Sequence, residues 1–175
     1  RNQGPRNNLQ FHFAPMWIGK GYDYDMYDLK TYPTTDGFTI LPSLVNPKSR
    51  GYVGLRSADP LAAPLIQPNF LQESADLNHL LGGAKLALDI FRQAAFKPWV
   101  KEIVAPMDFS SDAAIIQHIK KSVETIYHPV GTCKMGVDEL AVVDPQLRVR
   151  GIEGLRVVDA SVMPTVVSGN TNAPC

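Results

Sequence analysis

The sequence predicts an α+β domain with a mainly antiparallel sheet packed by helices. Short segments with strand alternation come first, two segments with helical periodicity occupy the middle, and short strand-like segments return before the C-terminus. Neither internal repeats nor the regular βα alternation of a parallel sheet is present.

Leu9, Phe11 and Phe13 alternate with Gln10 and His12, the period of a strand with one buried face, which sets His12 on the opposite face. From Pro15 to Pro33 the chain is rich in Tyr, Asp and Gly without periodicity and reads as a long surface loop. Phe38 to Leu44 and Gly51 to Ser57 are the next strands, expected to pair antiparallel across the turn-forming Asn46-Pro47-Lys48-Ser49. Ser74 is placed to cap a helix running to about Ala95, with Leu77, Leu80, Leu81, Ala84, Leu88 and Phe91 on one face. Gly82-Gly83 interrupts that helix at about 1 kcal/mol per glycine relative to alanine, so either a close contact compensates or the helix bends. Pro98 stops any continuation. A second helix is expected from Ser111 as N-cap through Val123, with Ile115, Ile119 and Val123 on its apolar stripe and Lys120 and Lys121 near its C-terminal dipole. Both helices need a sheet to bury against. Leu147 to Arg150 and Leu155 to Val158 read as two short strands, the second leading into Asp159.

At 175 residues with 45% apolar content the chain suffices for one compact domain. Seventeen basic residues balance seventeen acidic ones, so no global field draws it toward nucleic acid. Cys133 and Cys175 are too few for a disulfide framework, and with four histidines they form no zinc pattern, so no metal is expected. No apolar run approaches the roughly 20 residues of a membrane-spanning helix. The opening polar tract, and an Asn172-Ala173-Pro174 that resembles a helix entrance, suggest a piece of a longer protein. Gly19-Lys20-Gly21 lacks the third glycine of a dinucleotide fingerprint and reads as a loop.

The chemistry concentrates late in the chain. Tyr127-His128-Pro129-Val130-Gly131-Thr132-Cys133-Lys134-Met135-Gly136 fixes a histidine between an aromatic residue and a proline, where it cannot slide into a helix. It is answered by Val158-Asp159-Ala160-Ser161-Val162-Met163-Pro164 and by Ser168-Gly169-Asn170-Thr171-Asn172-Ala173-Pro174. With Asn46-Pro47-Lys48-Ser49-Arg50-Gly51-Tyr52-Val53, Ser57-Ala58-Asp59-Pro60 and Pro64-Leu65-Ile66-Gln67-Pro68-Asn69-Phe70 upstream, these segments resemble, in order, the C-terminal half of the glucose-methanol-choline (GMC) flavin-dependent alcohol oxidoreductases.

The resemblance implies that residues 1–175 form the family's substrate-binding domain without its N-terminal FAD-binding half. It implies FAD as cofactor, a primary alcohol as substrate, and oxygen or a quinone-type compound as electron acceptor. His128 would be the catalytic base, since imidazole titrates where a base accepts an alcohol proton. Asn170 stands where many members carry a second histidine and others, choline-oxidising ones included, carry asparagine. It can hold the substrate oxygen but does not transfer a proton near neutral pH. Asp159 and Ala160 would bring backbone N–H groups toward the ribityl-phosphate, and Asn172, Ala173 and Pro174 toward the flavin pyrimidine edge. A hydroxynitrile lyase of the same fold and a non-catalytic binding module are the alternatives. His79 and His118 read as surface or packing residues, while His12 lies on a segment that in the family runs near the substrate cavity. Phe11, Phe13, Trp17 and Tyr22 suggest an aromatic lining. Cys133 lacks an activating partner in sequence. The alcohol, the oligomeric state and the compartment, cytoplasmic or membrane-peripheral, are left open by the sequence.

Overall fold

A computed structural model describes residues 8–18, 25, 28–104 and 108–175. The chain divides into two compact units. A helical unit comprises Leu9–Leu44 and Glu73–Glu124; a second unit, carrying the late motifs, comprises Asn8, Val45–Gln72 and Thr125–Cys175 among the described residues.

In the helical unit, β1 (Leu9–Ala14) pairs antiparallel with β2 (Thr39–Leu44), Leu9 facing Leu44 and His12 facing Leu41. The resulting ribbon is covered by α1 (Ser74–Phe91). Leu9 and Pro42 lie on its covered face, and the close contact that the glycine pair requires is found there. A Cβ on Gly83 would stand 3.0 Å from Pro42 Cβ and 3.4 Å from the Leu9 methyls, whereas one on Gly82 would meet nothing within 4 Å. The helix therefore runs unbroken through both glycines, one of them supplying the approach. It starts differently from the expectation: Glu73 holds the N-cap position without a side-chain cap, and Ser74 is already helical. It also ends at Phe91 rather than near Ala95. On a straight helix residues five apart point about 140° away from each other. Turns after Arg92 instead return Phe96 to within 5.8 Å of Phe38 and 6.1 Å of Phe91. Phe13 joins the same cluster at 5.6 Å from Phe38, but it is exposed while the other residues of β1, on both faces, are half-buried, so the expected single buried face is not formed.

The second helix, α2 (Asp112–Ser122), is capped by the Ser111 hydroxyl, which accepts from Ala114 N–H. Its buried Ile115 and Ile119 pack against α1 and not against the ribbon, a correction to the expectation that each helix would need a sheet. The 2.6 Å Lys85–Asp112 ion pair joins the two helices at an exposed position, where such pairs add little. The loop from Pro15 includes one short 3-10 turn, Leu29–Thr31, capped by Asp28. Gly19-Lys20-Gly21 and Tyr22 lie outside the described residues.

In the motif unit, β3 (Tyr52–Gly54) does not pair with β2 as expected; it pairs antiparallel with β4 (Leu65–Gln67). Gly51 is the reason. A side chain there would collide with the Gln67 and Pro68 carbonyls, so glycine alone permits this approach, which Asn69 Nδ2 reinforces by donating to Arg50 O at 3.0 Å. The fold class is α+β, but its antiparallel pairing is distributed over two two-stranded sheets instead of one. The strands expected at 147–150 and 155–158 are single bridges, Val143 with Val149 and Arg148 with Arg156. Leu147 has a φ of +65°, a backbone conformation that a strand excludes. Val143, fully buried, centres this bridged region, with Ala141 and Val162 also buried. Among the described residues no helix is long and apolar enough to cross a membrane.

The two glycines predict opposite responses to one substitution. Gly82→Ala should stabilise the helical unit by about 1 kcal/mol through helix propensity alone. Gly83→Ala should destabilise it by about 1–3 kcal/mol through overpacking against Pro42, and denaturant unfolding of both variants measures the difference.

A second test concerns His118, held below the ordinary imidazole pKa first by partial burial and then by Lys121. Because the folded value is the lower one, the unfolded chain binds more protons as pH falls through the ordinary imidazole range. This contribution is complete above that range and lost as pH drops through the folded value. His118→Gln should flatten the stability curve between about pH 5 and 7, read by thermal melting across that interval.

Candidate active site

The two late motifs meet through the backbone. Cys133 N–H donates to Ser161 O at 3.0 Å and Met135 N–H to Val162 O at 2.8 Å, so the chain after His128 is laid against the segment after Asp159. Tyr127, with φ +64°, and Gly131, with φ +88°, turn the backbone on either side of His128-Pro129-Val130. Gly131 also passes close to Met163, whose carbonyl would stand 3.4 Å from an added Cβ.

His128 itself is half-buried. Its Nδ1 lies 3.1 Å from Thr171 Oγ1, and Thr171 N–H points at the same nitrogen from 3.4 Å. Thr171 is buried, with 5% of its surface exposed. The ring is thus clamped on its Nδ1 side, and no partner for Nε2 is found among the described residues. Sequence reasoning missed Thr171 as the partner because Asn170, its neighbour in the quoted motif, carried the resemblance. The signal was the motif itself, but only folding shows which of its side chains turns inward.

Asn170 adjoins this contact in sequence, with an exposed side chain that makes no hydrogen bond to a described residue. Ahead of it, Ser168 adopts φ +65° and its Oγ accepts from Asn46 Nδ2 at 2.8 Å. That bond ties the Asn46-Pro47 turn to the Ser168-Gly169-Asn170 turn, a second contact the sequence did not disclose.

Asp159 spends its carboxylate on its own backbone. It caps the 3-10 turn Ala160–Val162 by accepting from Ser161 N–H at 2.7 Å. Hydrogen bonding from the Ser161 side chain, then from its N–H, holds this carboxyl below the usual range. What the turn can present to a ligand is therefore the Ala160 N–H. At the other end of the motif, Cys175 N–H donates to Thr171 O at 3.3 Å, which closes one helical turn over Asn172-Ala173-Pro174. The N–H groups of Ala160, Asn172 and Ala173 have no acceptor among the described residues. Donors of this kind at the openings of turns suit an acceptor-rich or anionic group.

His12 sits in β1 of the helical unit, its Nε2 buried without a partner among the described residues. Phe11, Phe13 and Trp17 belong to the same unit, and Trp17 packs against Gly37. Cys133 is half-buried and free. Among the described residues no group of His, Cys, Asp and Glu could hold a metal ion.

Comparison with known proteins gives a consistent result. The model of the GMC oxidoreductase family matches residues 47–175. The chain is 45% identical over 170 residues to an alcohol dehydrogenase [acceptor] of Pseudomonas putida, covering 97% of this chain and 30% of that protein. It is 38% identical over 167 residues to an oxygen-dependent choline dehydrogenase of Klebsiella pneumoniae, covering 95% and 29%. A formate oxidase of Aspergillus oryzae, solved in a study of FAD modification, superposes with a TM-score of 0.81 at 32% identity over 93% of this chain and 28% of its own. The chain thus spans about 30% of the length of the curated relatives it matches.

The Asp159 cap predicts a titration. Its carboxyl is lowered on folding, so the cap is intact above the unfolded carboxylate range and opens as pH falls through the depressed folded value. The Ser161 amide resonance should titrate with a midpoint below that of an ordinary aspartate, and Asp159→Asn should abolish the transition.

Proposed function

The chain belongs to the GMC oxidoreductase family, whose cofactor is FAD, and from that membership we propose that it is the C-terminal, substrate-binding part of an enzyme oxidising a primary alcohol to an aldehyde. The observation that carries this reading is His128, anchored at Nδ1 by a buried threonine and with its other nitrogen uncommitted among the described residues. The naming of relatives as alcohol and choline dehydrogenases supports the substrate class.

The residues present fit the cofactor. Ala160, Asn172 and Ala173 offer backbone N–H groups without acceptors among the described residues, at positions assigned by the resemblance to the ribityl-phosphate and the pyrimidine edge. Asp159 shapes the first turn and Pro174 stiffens the second, so these five residues would hold FAD from this chain. When bound, FAD supplies the hydride acceptor, flavin N5.

The chain's own residues do the rest. His128 accepts the hydroxyl proton, while the Asn170 amide donates to the oxygen on which alkoxide charge develops. Asparagine does not ionise near neutral pH, so the proton falls to His128 alone. Oxygen or a quinone-type compound would be the final electron acceptor. A larger protein around this domain accords with the exposed apolar side chains of the motif unit, among them Tyr52, Val53, Ile66 and Val158.

The experiment is the visible spectrum of the full-length gene product before and after anaerobic addition of primary alcohols, choline included. Bleaching of a flavin band by one of them is expected. A band that no alcohol bleaches, with cyanide released from mandelonitrile, would identify a lyase instead, and absence of flavin a binding module. His128→Ala should retain flavin and lose at least about a hundredfold in turnover; a variant that loses flavin as well would show the histidine to be structural.

A further inference from the structure

Thr171 presents two groups to one nitrogen of His128, and only one of them is tied to a single form of the ring. Its backbone N–H, 3.4 Å from Nδ1, only donates. Acting alone, it calls for a lone pair on Nδ1, and a neutral imidazole then carries its proton on Nε2. Its hydroxyl, 3.1 Å from Nδ1, turns about the Cβ–Oγ bond and either donates or accepts. Only the hydroxyl, therefore, can receive a proton borne by Nδ1. Of the two contacts the hydroxyl is the shorter, and the amide lies at the long limit of a hydrogen bond.

We propose that Thr171 is a positioning residue that makes His128 a base. Oγ1 accepts from Nδ1–H, the long 3.4 Å amide contact is then given up as a hydrogen bond, and the lone pair on Nε2 is left to receive the alcohol proton. The inference rests on the reading of His128 as the proton acceptor and adds which atom acts and what sets its form. The balance is simple. The substrate O–H bond breaks and an Nε2–H bond forms, Nδ1 keeps its proton on Oγ1, and the carbinol carbon gives its hydride to the oxidised flavin. The resulting imidazolium has both N–H groups, and Oγ1 continues to accept from one of them, so the same hydroxyl serves the ring before and after proton transfer. Burial of Thr171 at 5% exposure keeps water from replacing it.

Thr171→Val keeps the branched shape and the backbone N–H and removes the hydroxyl. With only the amide left, the ring is driven to the Nε2–H form, which has no lone pair for the substrate. In the full-length flavoprotein kcat should fall by about a hundredfold or more, as loss of a tautomer-setting partner does elsewhere, with KM and flavin content little changed. Thr171→Ser should recover activity to within a few-fold. Imidazole 15N spectra should show His128 changing from the Nδ1–H to the Nε2–H pattern in the valine variant. Wild-type kcat in Thr171→Val, an unchanged 15N pattern, or equal losses of activity and flavin in both variants would overturn the assignment. The two readings separate through His128→Ala. An inactive His128→Ala beside an active Thr171→Val defeats the role of Thr171 alone, and an active His128→Ala defeats the base itself.

Discussion

Two backbone hydrogen bonds, Cys133 to Ser161 and Met135 to Val162, hold together segments that lie about thirty residues apart and otherwise have almost no regular structure. Loops that carry chemistry usually rest on a scaffold of helices or strands. In the motif unit the scaffold is instead a set of short bridges around the buried Val143, continued by this pair of bonds. With the backbone held there, the left-handed turns at Tyr127 and Gly131 fix where the histidine leaves the chain. A φ near +60° at tyrosine is unfavourable in isolation and persists only where the surrounding structure holds it.

The helical unit solves a different problem. Its ribbon of two strands would be marginal alone, since two strands in water bury too little. Helix α1 makes it viable by coming close, and Gly83 is the residue that allows this, with Pro42 and Leu9 filling the space a side chain would take. The helix loses propensity at that glycine and gains packing in return. Helix α2 then buries Ile115 and Ile119 on α1, which places three layers in sequence with the phenylalanine cluster at one edge.

What the sequence disclosed follows from which interactions are local. The Ile115–Ile119 stripe of α2 and the Ser111 cap depend on neighbours within a few residues and are found as expected, whereas the alternation at Leu9–Phe13 gives a strand without its single buried face. The pairing of β3 with β4 rests on Gly51 meeting the Gln67 carbonyl, and the end of α1 rests on Phe96 meeting Phe38. No local pattern encodes such meetings. The site divides likewise. His128 stood out because proline and glycine isolate it, yet its partner Thr171 lies 43 residues away and is distinguished from Asn170 only by the direction its side chain takes. Asp159 was legible as a cap, and its side chain serves the turn in that way, while the Ala160 N–H has no acceptor among the described residues.

In the proposed mechanism the asparagine at position 170 gives the threonine at 171 its importance. In a site with two histidines, a second imidazole can relay or share the proton, and the form of the first ring matters less. With asparagine there, one ring must meet the hydroxyl with a lone pair and then bear the charge, so its tautomer decides whether it is a base at all. A residue that only donates to Nδ1 would prevent this, and one that only accepts would fix a single form. A hydroxyl does either, and Thr171 sets one beside a ring that the backbone has already anchored. Under the proposed mechanism, an asparagine in place of a second histidine leaves the control of protonation to its sequence neighbour.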